Sequence, residues 1–182
     1  MVSYSSIREA AQIVRSGGLI AFPTDTVYGL GCDPFNPEAV VRLVKAKRRV
    51  EPALPVLVGT MAKASQIGFL DGNALQLVRR YWPGPLTVVV AARASFPAQV
   101  TGPQNTVGLR IPGRRDTIEL IEESGGSIIG TSANITGYPS SRTAEEVMKV
   151  MGEELDMIID GGLPRLEKNR QLSSWRVERS QS

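Results

Sequence analysis

Apolar residues recur along the chain at two spacings, one typical of helices and one typical of buried strands. A first helix is predicted over residues 5–16, and Gly17 is expected to end it. Its apolar face comprises Ile7, Ala10, Ala11 and Val14. Further helices are predicted over residues 36–44, 60–67, 73–81, 116–123 and 143–151. Short apolar runs predict strands over residues 19–22, 54–58, 86–91, 106–111, 127–130 and 157–159.

This alternation of helices and strands is typical of an α/β domain. Asn36 before Pro37 predicts a helix start with an N-cap and a first-turn proline, and Val40, Val41 and Val44 are expected to face inward from that helix. Residues 143 and 146, a threonine and a glutamate, predict a capping box.

The length and composition suit one domain with a sizeable core, since the chain has 182 residues of which 42% are apolar. No internal repeat or linker divides it. From Pro164 onward the chain is polar and basic, with little core-forming pattern. We therefore predict one domain over residues 1–163 and a divergent or mobile tail over residues 164–182.

The stretch from Pro23 to Gly31 carries polar groups at the predicted end of a buried strand. Its sequence is P-T-D-T-V-Y-G-L-G. Pro23 cannot donate to a sheet ladder, so the preceding strand is expected to end there. Open α/β sheets bind ligands at the carboxyl ends of their strands. The two hydroxyls and the carboxylate of this turn therefore predict a site for a small polar substrate, with no metal required.

The sequence contains no histidine, and this excludes several classes of enzyme. A Ser-His-Asp triad, a Cys-His pair and a His-ligated metal are all impossible. A general base would have to be a carboxylate, a lysine, a tyrosine, water or the substrate itself. No G-x-x-x-x-G-K-[ST] run is present, so the chain is not a P-loop NTPase.

Cys32 is the only cysteine, so no internal disulfide can form and a reducing compartment, the cytoplasm, is expected. A buried, inert thiol is favoured over a nucleophile because no histidine could activate it. No apolar run approaches the roughly 20 residues of a membrane span, and no secretory signal is recognisable. We therefore expect no membrane association.

Two further polar clusters allow both a structural and a functional interpretation. Residues 45–49, K-A-K-R-R, either stabilise a helix C-terminus through its dipole or bind phosphate. Residues 131–134, T-S-A-N, either form a turn that bonds its own backbone or bind a small ligand, with Arg142 reaching phosphate. The formal net charge of +3 fits an ordinary surface or a polyanionic partner.

Five motifs occur in a fixed order, and together they are far more specific than any one of them. They are P-T-D-T-V-Y-G-L-G, K-x-R, W-P-G-P-L-T, T-V-G-L-R-I-P and T-S-A-N-x-x-G-x-P. With this set, residues 17–162 resemble the YrdC-like family of threonylcarbamoyl-AMP synthases, in its short, single-domain form. The resemblance implies a twisted, open, mixed α/β sheet with flanking helices around a deep, basic cavity.

The resemblance also implies a reaction. Enzymes of this family combine L-threonine, bicarbonate or CO2, and ATP to give threonylcarbamoyl-adenylate and pyrophosphate, and Mg2+ is expected with the ATP. A partner transferase then moves the threonylcarbamoyl group to an adenosine of certain tRNAs. Attack on phosphorus needs positioning and charge neutralisation more than a protein nucleophile, so the absence of histidine is no obstacle.

Site residues carry over from the family motif by motif. Those implied to bind L-threonine are Thr24, Thr26 and Arg110. Those implied to bind ATP are Lys47, Arg49, Thr106, Ser132, Asn134 and Arg142. Lys47 and Arg49 form the K-x-R pair and are also the implied catalytic residues, since they would neutralise charge on the phosphates. No protein ligand for a metal is implied.

Two alternatives stay open at this point. A basic, concave fold without synthase activity would suit an RNA-binding module, although aromatic residues make up only 5% of the chain and base stacking is poorly provided for. A relative that acts on another carbamoyl-adenylate is the second alternative.

Overall fold

In a computed structural model, which describes residues 4–48, 53–161 and 175–176, the strands form two mixed sheets. The strands in chain order are β1 (Ile20–Pro23), β2 (Tyr28–Gly31), β3 (Val56–Val58), β4 (Val88–Ala91), β5 (Thr106–Arg110), β6 (Ser127–Ile129), β7 (Thr131–Ser132), β8 (Met157–Ile158) and β9 (Trp175–Arg176). The first sheet has the order β7-β2-β1-β8, and the second has the order β6-β3-β5-β4-β9. The open, mixed α/β architecture expected from the sequence is confirmed.

Each sheet combines antiparallel and parallel neighbours. In the first sheet β1 pairs antiparallel with β2 and parallel with β8. In the second sheet β5 pairs antiparallel with β4 and parallel with β3, and the two-residue β9 lies parallel to β4 at the sheet edge. Most of the predicted tail, together with its boundary after residue 163, lies outside the described residues.

The six helices predicted from the sequence lie close to their expected positions, and a further short helix at residues 98–101 was not predicted. They are α1 (Tyr4–Arg15), α2 (Pro37–Ala46), α3 (Met61–Ile67), α4 (Gly72–Tyr81), α5 (Ala98–Thr101), α6 (Arg115–Glu123) and α7 (Ala144–Met151). A 3-10 turn, Gly152–Glu154, follows α7. None of the helices in the described ranges has the length and apolar character needed to cross a membrane.

Local capping chemistry explains where α2 and α7 begin, and both predicted starts are confirmed. Asn36 accepts hydrogen bonds from the backbone N–H groups of Glu38 and Ala39, at 3.0 and 3.1 Å. Thr143 accepts from the N–H of Glu146 at 3.1 Å. The Glu146 carboxylate reaches back to the N–H of Arg142 at 2.6 Å, one residue earlier than in the usual capping box.

The inward face of α2 differs from the predicted one. Val40 is buried as expected, but Val41 and Val44 are only half-buried. The buried residues are Ala39, Val40, Leu43 and Ala46, which recur at helical spacing. Leu43 and Ala46 therefore occupy the inward face together with Val40, and Val41 and Val44 lie at its borders.

The stretch after Pro23 is a hairpin, not one long turn, and this corrects the prediction. β1 ends at Pro23 as expected, residues 24–27 turn, and β2 returns antiparallel to β1 with Pro23 opposite Tyr28. The predicted turn at Thr131 is also partly a strand, because β7 pairs with β2. Neither strand shows apolar alternation, since glycines occupy every second position of β2 and β7 is two residues long.

The two sheets join where β2 meets β6. The N–H of Ile129 donates to the carbonyl of Cys32, just beyond β2, at 2.9 Å. Gly31 permits this approach, because a Cβ there would collide with the Ile129 carbonyl oxygen and lie 2.8 Å from the Phe22 ring. Helices α1 and α6 cover the junction with one buried cluster that draws residues from both sheets, including Phe22 and Leu57.

Replacement of Gly31 by alanine should therefore lower the free energy of unfolding by about 1–3 kcal/mol, the usual cost of overpacking a filled site. Gly72 is the matched control, because a Cβ there meets nothing within 4 Å. Urea unfolding of both variants measures the difference. Equal stability of Gly31→Ala and Gly72→Ala would contradict the close approach at β2.

Candidate active site

The turn between β1 and β2 is locked by the hydroxyl of Thr24. Thr24 Oγ1 donates to the carbonyl of Val27 at 2.6 Å and accepts from the backbone N–H groups of Thr26 and Val27, at 3.1 and 3.3 Å. It also lies 3.1 Å from Thr26 Oγ1. Thr24 is buried, whereas Thr26 is half-buried. Thr24 therefore holds the turn, and Thr26 is the more accessible of the two hydroxyls.

Arg110, at the end of β5, forms an ion pair with Asp25 in this turn. Arg110 Nη2 donates to Asp25 Oδ1, and Nε donates to the carbonyl of Gly84 at 2.8 Å. The two side chains are 13% and 19% exposed. Burial lowers the pKa of Arg110, and the Asp25 carboxylate opposes that shift. An arginine in such a setting stays charged, so the site keeps a fixed cation beside two hydroxyls.

Lys47 is buried at the C-terminal end of α2, with only 2% of the residue exposed. Its Nζ donates to the carbonyl of Ser132 at 2.5 Å, to the carbonyl of Asn134 at 3.1 Å and to Asn134 Oδ1 at 3.0 Å. A buried ammonium is costly unless oxygens surround it. These bonds therefore fasten the end of α2 to the T-S-A-N segment.

The amide of Asn134 has a fixed orientation within this cluster. Asn134 Oδ1 accepts from Lys47 Nζ and, at 2.6 Å, from Ser132 Oγ. Asn134 Nδ2 donates to the carbonyl of Tyr138 at 2.6 Å. Two donors thus meet the amide oxygen and one acceptor meets the nitrogen, which only one amide orientation can satisfy. The segment from Ser132 to Tyr138 is therefore held as one unit with Lys47.

Strand β2 brings the hairpin turn and the lysine cluster side by side. Gly29 of β2 lies opposite Ser132 of β7, and the N–H of Ala133 donates to the carbonyl of Tyr28 at 2.8 Å. On the far side of the segment, the N–H of Thr136 donates to the Lys47 carbonyl at 2.9 Å. Thr24 and Thr26 therefore lie next to the segment of Ser132 and Asn134, to which Lys47 is bonded, and Arg110 joins this group from β5 through its ion pair with Asp25.

Thr106 and Arg142 are the two remaining predicted residues that the structure describes. Thr106 is at the opposite end of β5 from Arg110, about 13 Å away at the usual rise of an extended strand. Arg142 is exposed and follows Ser141, whose backbone bonds both Tyr28 and Ala133. Arg49 lies outside the described residues. Their assigned roles stay predictions.

Asp25 and the Gly84 carbonyl are the parts of this site that the sequence did not assign. Asp25 was expected in the polar turn but had no predicted partner, because Arg110 is 85 residues away. Gly84 belongs to the W-P-G-P turn, which has no charged group of its own. No local pattern connects these three residues, so only the folded chain reveals the contact.

A second polar network closes the other side of the hairpin. Arg114 binds both oxygens of Asp116, at 2.7 and 3.0 Å, and donates to the carbonyl of Gly161 at 2.6 Å. The N–H of Gly161 donates to Tyr28 Oη at 3.2 Å. Burial raises the pKa of Tyr28, so this phenol stays protonated at neutral pH. The network anchors the backbone at Gly161 against the start of β2.

Cys32 is fully buried, as favoured from the sequence, and burial raises the pKa of its thiol to about 12. The neighbouring Asp33 carboxylate adds to this rise. A thiol of this kind is neither a nucleophile nor a metal ligand at neutral pH. Within residues 4–48 and 53–161, no three Cys, Asp or Glu side chains converge in a way that could hold a metal ion.

A cavity of about 520 Å³ opens elsewhere, between α1 and α2. Its lining includes Glu9, Arg42 and Asp156, and therefore carries charges of both signs. Arg42 and Asp156 form an ion pair at 3.1 Å, with both side chains near half exposure. This cavity is separate from the hairpin and the lysine cluster, and the basic cavity implied by the resemblance stays a prediction.

Comparison with known proteins agrees with the fold and with the motifs. The profile of the Sua5/YciO/YrdC family, described as telomere recombination, matches residues 12–173. A threonylcarbamoyl-AMP synthase of Pyrococcus abyssi is 40% identical over 164 residues, which are 88% of this chain and 48% of that protein. A threonylcarbamoyl-AMP synthase of Halorhodospira halophila is 34% identical over 89% of this chain and 86% of its own length.

A solved structure resembles this chain closely. The crystal structure of P. abyssi Sua5 complexed with L-threonine superposes with a TM-score of 0.86 and 36% identity, over 91% of this chain and 49% of that one. The chain therefore spans about half of the Pyrococcus relative and most of the Halorhodospira one.

Replacement of Lys47 by methionine should lower the free energy of unfolding by about 2–3 kcal/mol, because buried carbonyl and amide oxygens lose their donor. Lys45→Met is the matched control, since Lys45 lies in the last turn of the same helix but is exposed. The control should lose less than about 1 kcal/mol, the usual value of a cation at a helix C-terminus. Equal losses in urea unfolding would show that Lys47 acts through the helix dipole alone.

Native protein should resist alkylation of Cys32 by iodoacetamide at pH 8 and react within minutes in guanidinium chloride, as mass spectrometry would show. The raised pKa of Cys32 also makes the stability of the protein depend on pH. As the pH rises, the thiol of the unfolded chain ionises before that of the native protein. The contribution of Cys32 to the free energy of unfolding is therefore fully present below pH of about 9 and is lost as the pH rises toward about 12. Rapid native alkylation would contradict the burial.

Proposed function

The chain belongs to the Sua5/YciO/YrdC family, and from this membership we propose that it condenses L-threonine, bicarbonate or CO2, and ATP into L-threonylcarbamoyladenylate and pyrophosphate. The observation that carries the proposal is the pairing of β2 with β7. This pairing places the hairpin turn, with its two threonine hydroxyls and the ion pair to Arg110, next to the cluster around the buried Lys47. One half suits an amino acid, and the other suits a nucleotide.

The amino-acid half is the hairpin turn with Arg110. A guanidinium binds a carboxylate through paired N–H groups, and Arg110 stays charged in this setting. Thr26 offers a hydroxyl that can exchange hydrogen bonds with the β-hydroxyl of threonine. A site that bonds a substrate hydroxyl rejects analogues that lack it, because its own polar group is then left unpaired. We assign the selection of threonine to this half.

The nucleotide half is the cluster of Lys47, Ser132 and Asn134, with Arg49 implied by the K-x-R motif. The Lys47 ammonium supports the two carbonyls and the amide that shape the segment. Its positive charge lies next to residues 132–134, and it would stabilise the phosphates of ATP bound against that segment. Lys47 therefore contributes charge and shape together.

The chemistry follows from this arrangement. The threonine nitrogen forms a bond to CO2 and loses a proton to water or bicarbonate, which gives a carbamate. A carbamate oxygen then bonds to the α-phosphorus of ATP, and the bond from that phosphorus to the β-phosphate oxygen breaks. The chain's residues hold the two partners in line and neutralise charge, which is the larger part of catalysis in such transfers.

We propose that Mg2+ arrives with ATP and neutralises its phosphates. Mg2+ bound in this way takes most of its ligands from phosphate oxygens and water, with one or two protein carboxylates at most. The product is a mixed anhydride of a carbamic and a phosphoric acid, so a transferase must consume it. We propose tRNA adenosine as the final acceptor and the cytoplasm as the compartment, where Cys32 would stay reduced.

Purified protein with ATP, Mg2+ and bicarbonate should release pyrophosphate when L-threonine is added. L-valine should not replace it, because a methyl group stands where the hydroxyl of threonine would bond. A coupled pyrophosphate assay measures both, and mass spectrometry should find the adenylate only with L-threonine. Pyrophosphate release that is indifferent to the amino acid would rule out the proposed reaction.

A further inference from the structure

We propose that Asp25 is a positioning residue for Arg110: it fixes the guanidinium so that the Nη1–Nη2 edge meets the carboxylate of the amino-acid substrate. This inference rests on the proposed function, since it assumes an amino acid in the hairpin half of the site. Asp25 itself makes no contact with the reacting atoms in this proposal. It acts on substrate binding only through Arg110.

Two contacts on one edge of the guanidinium support the proposal. Nη2 donates to Asp25 Oδ1, and Nε donates to the Gly84 carbonyl at 2.8 Å. Asp25 and Gly84 come from separate loops, so together they set both the position and the plane of the group. A planar guanidinium held along its Nε–Nη2 edge presents its remaining N–H groups along the Nη1–Nη2 edge.

The surroundings leave Asp25 little freedom. A Cβ added at Gly113 would lie 3.2 Å from Asp25 Oδ2 and 3.6 Å from the Gly84 Cα, so the backbone packs closely around the pair. The turn that carries Asp25 is itself locked by Thr24, which bonds the N–H groups of Thr26 and Val27. The carboxylate is therefore a rigid support and not a mobile counter-ion.

Charge alone would predict the opposite effect. The Asp25–Arg110 pair is formally neutral, so its attraction for a substrate carboxylate comes from directed N–H groups more than from net charge. If net charge decided binding, removal of the Asp25 charge would tighten L-threonine binding. If position decides it, the same change weakens binding. The sign of the effect therefore separates the two explanations.

The test is Asp25→Asn, which keeps the size of the side chain and removes its charge. We expect its Kd for L-threonine, measured by calorimetry, to rise about tenfold, because small displacements of a positioned group are costly. The KM for L-threonine should rise by the same factor, and the KM for ATP should stay within about twofold. Asp25→Ser provides a second, smaller variant in case Asp25→Asn folds poorly.

A double-mutant cycle decides whether Asp25 acts through Arg110. Arg110→Gln should weaken L-threonine binding more than Asp25→Asn, and the double variant should be no weaker than Arg110→Gln. Asp156→Asn is the matched control, because Asp156 also pairs with an arginine, Arg42 at 3.1 Å, but in the cavity between α1 and α2 that is separate from the hairpin. It should leave the Kd for L-threonine unchanged even if it lowers the unfolding temperature.

The outcomes are distinguishable. Unchanged or tighter L-threonine binding by Asp25→Asn overturns the positioning role, and so does full additivity with Arg110→Gln. If the wild-type protein binds L-threonine but releases no pyrophosphate, the proposed reaction fails, while the calorimetric comparison still decides the role of Asp25. If the wild-type protein does not bind L-threonine, both the proposed function and this inference fail.

Discussion

The buried ammonium of Lys47 is the constraint on which the candidate site depends. An ion with 2% exposure must be surrounded by oxygens, and Lys47 takes its acceptors from Ser132 and Asn134, 85 and 87 residues away. The end of α2 and the segment after β6 must therefore meet in one geometry. The backbone bond from Thr136 to Lys47 reinforces this contact. The cost of burying the charge thus fixes the shape of the nucleotide half.

Strand β2 transmits that geometry to the amino-acid half. It pairs with β1 on one side and β7 on the other, and its end joins the first sheet to the second through Cys32 and Ile129. Gly29 and Gly31 are required here, because a Cβ at either position would press on the Phe22 ring. Tight backbone packing therefore sets how far the turn at Thr24 lies from the lysine cluster.

Local features were predictable from the sequence, and features that depend on distant pairing were not. Helix α1 and the caps at Asn36 and Thr143 follow from neighbouring residues, and the inert thiol of Cys32 follows from the absence of histidine in the sequence. Strand β2 was missed because glycines at every second position hide alternation, and β7 because two residues are too few to show it. The division into two sheets depends on pairings between distant segments. The motif resemblance grouped Lys47 with Ser132 and Asn134. It did not reveal that Lys47 supports the segment, nor that Asp25 pairs with Arg110.

Several predicted site residues already have their polar atoms in hydrogen bonds within the protein. The Thr24 hydroxyl forms hydrogen bonds within the turn. The amide of Asn134 forms hydrogen bonds with Lys47, Ser132 and Tyr138. Groups held in this way are preorganised and lose little entropy when a ligand binds. The groups that would contact the ligand directly are then the more accessible donors, which are the Thr26 hydroxyl and the Nη1–Nη2 edge of Arg110. A variant at Thr24 or Asn134 would therefore lose activity through displaced neighbours, and its loss of stability would accompany its loss of binding.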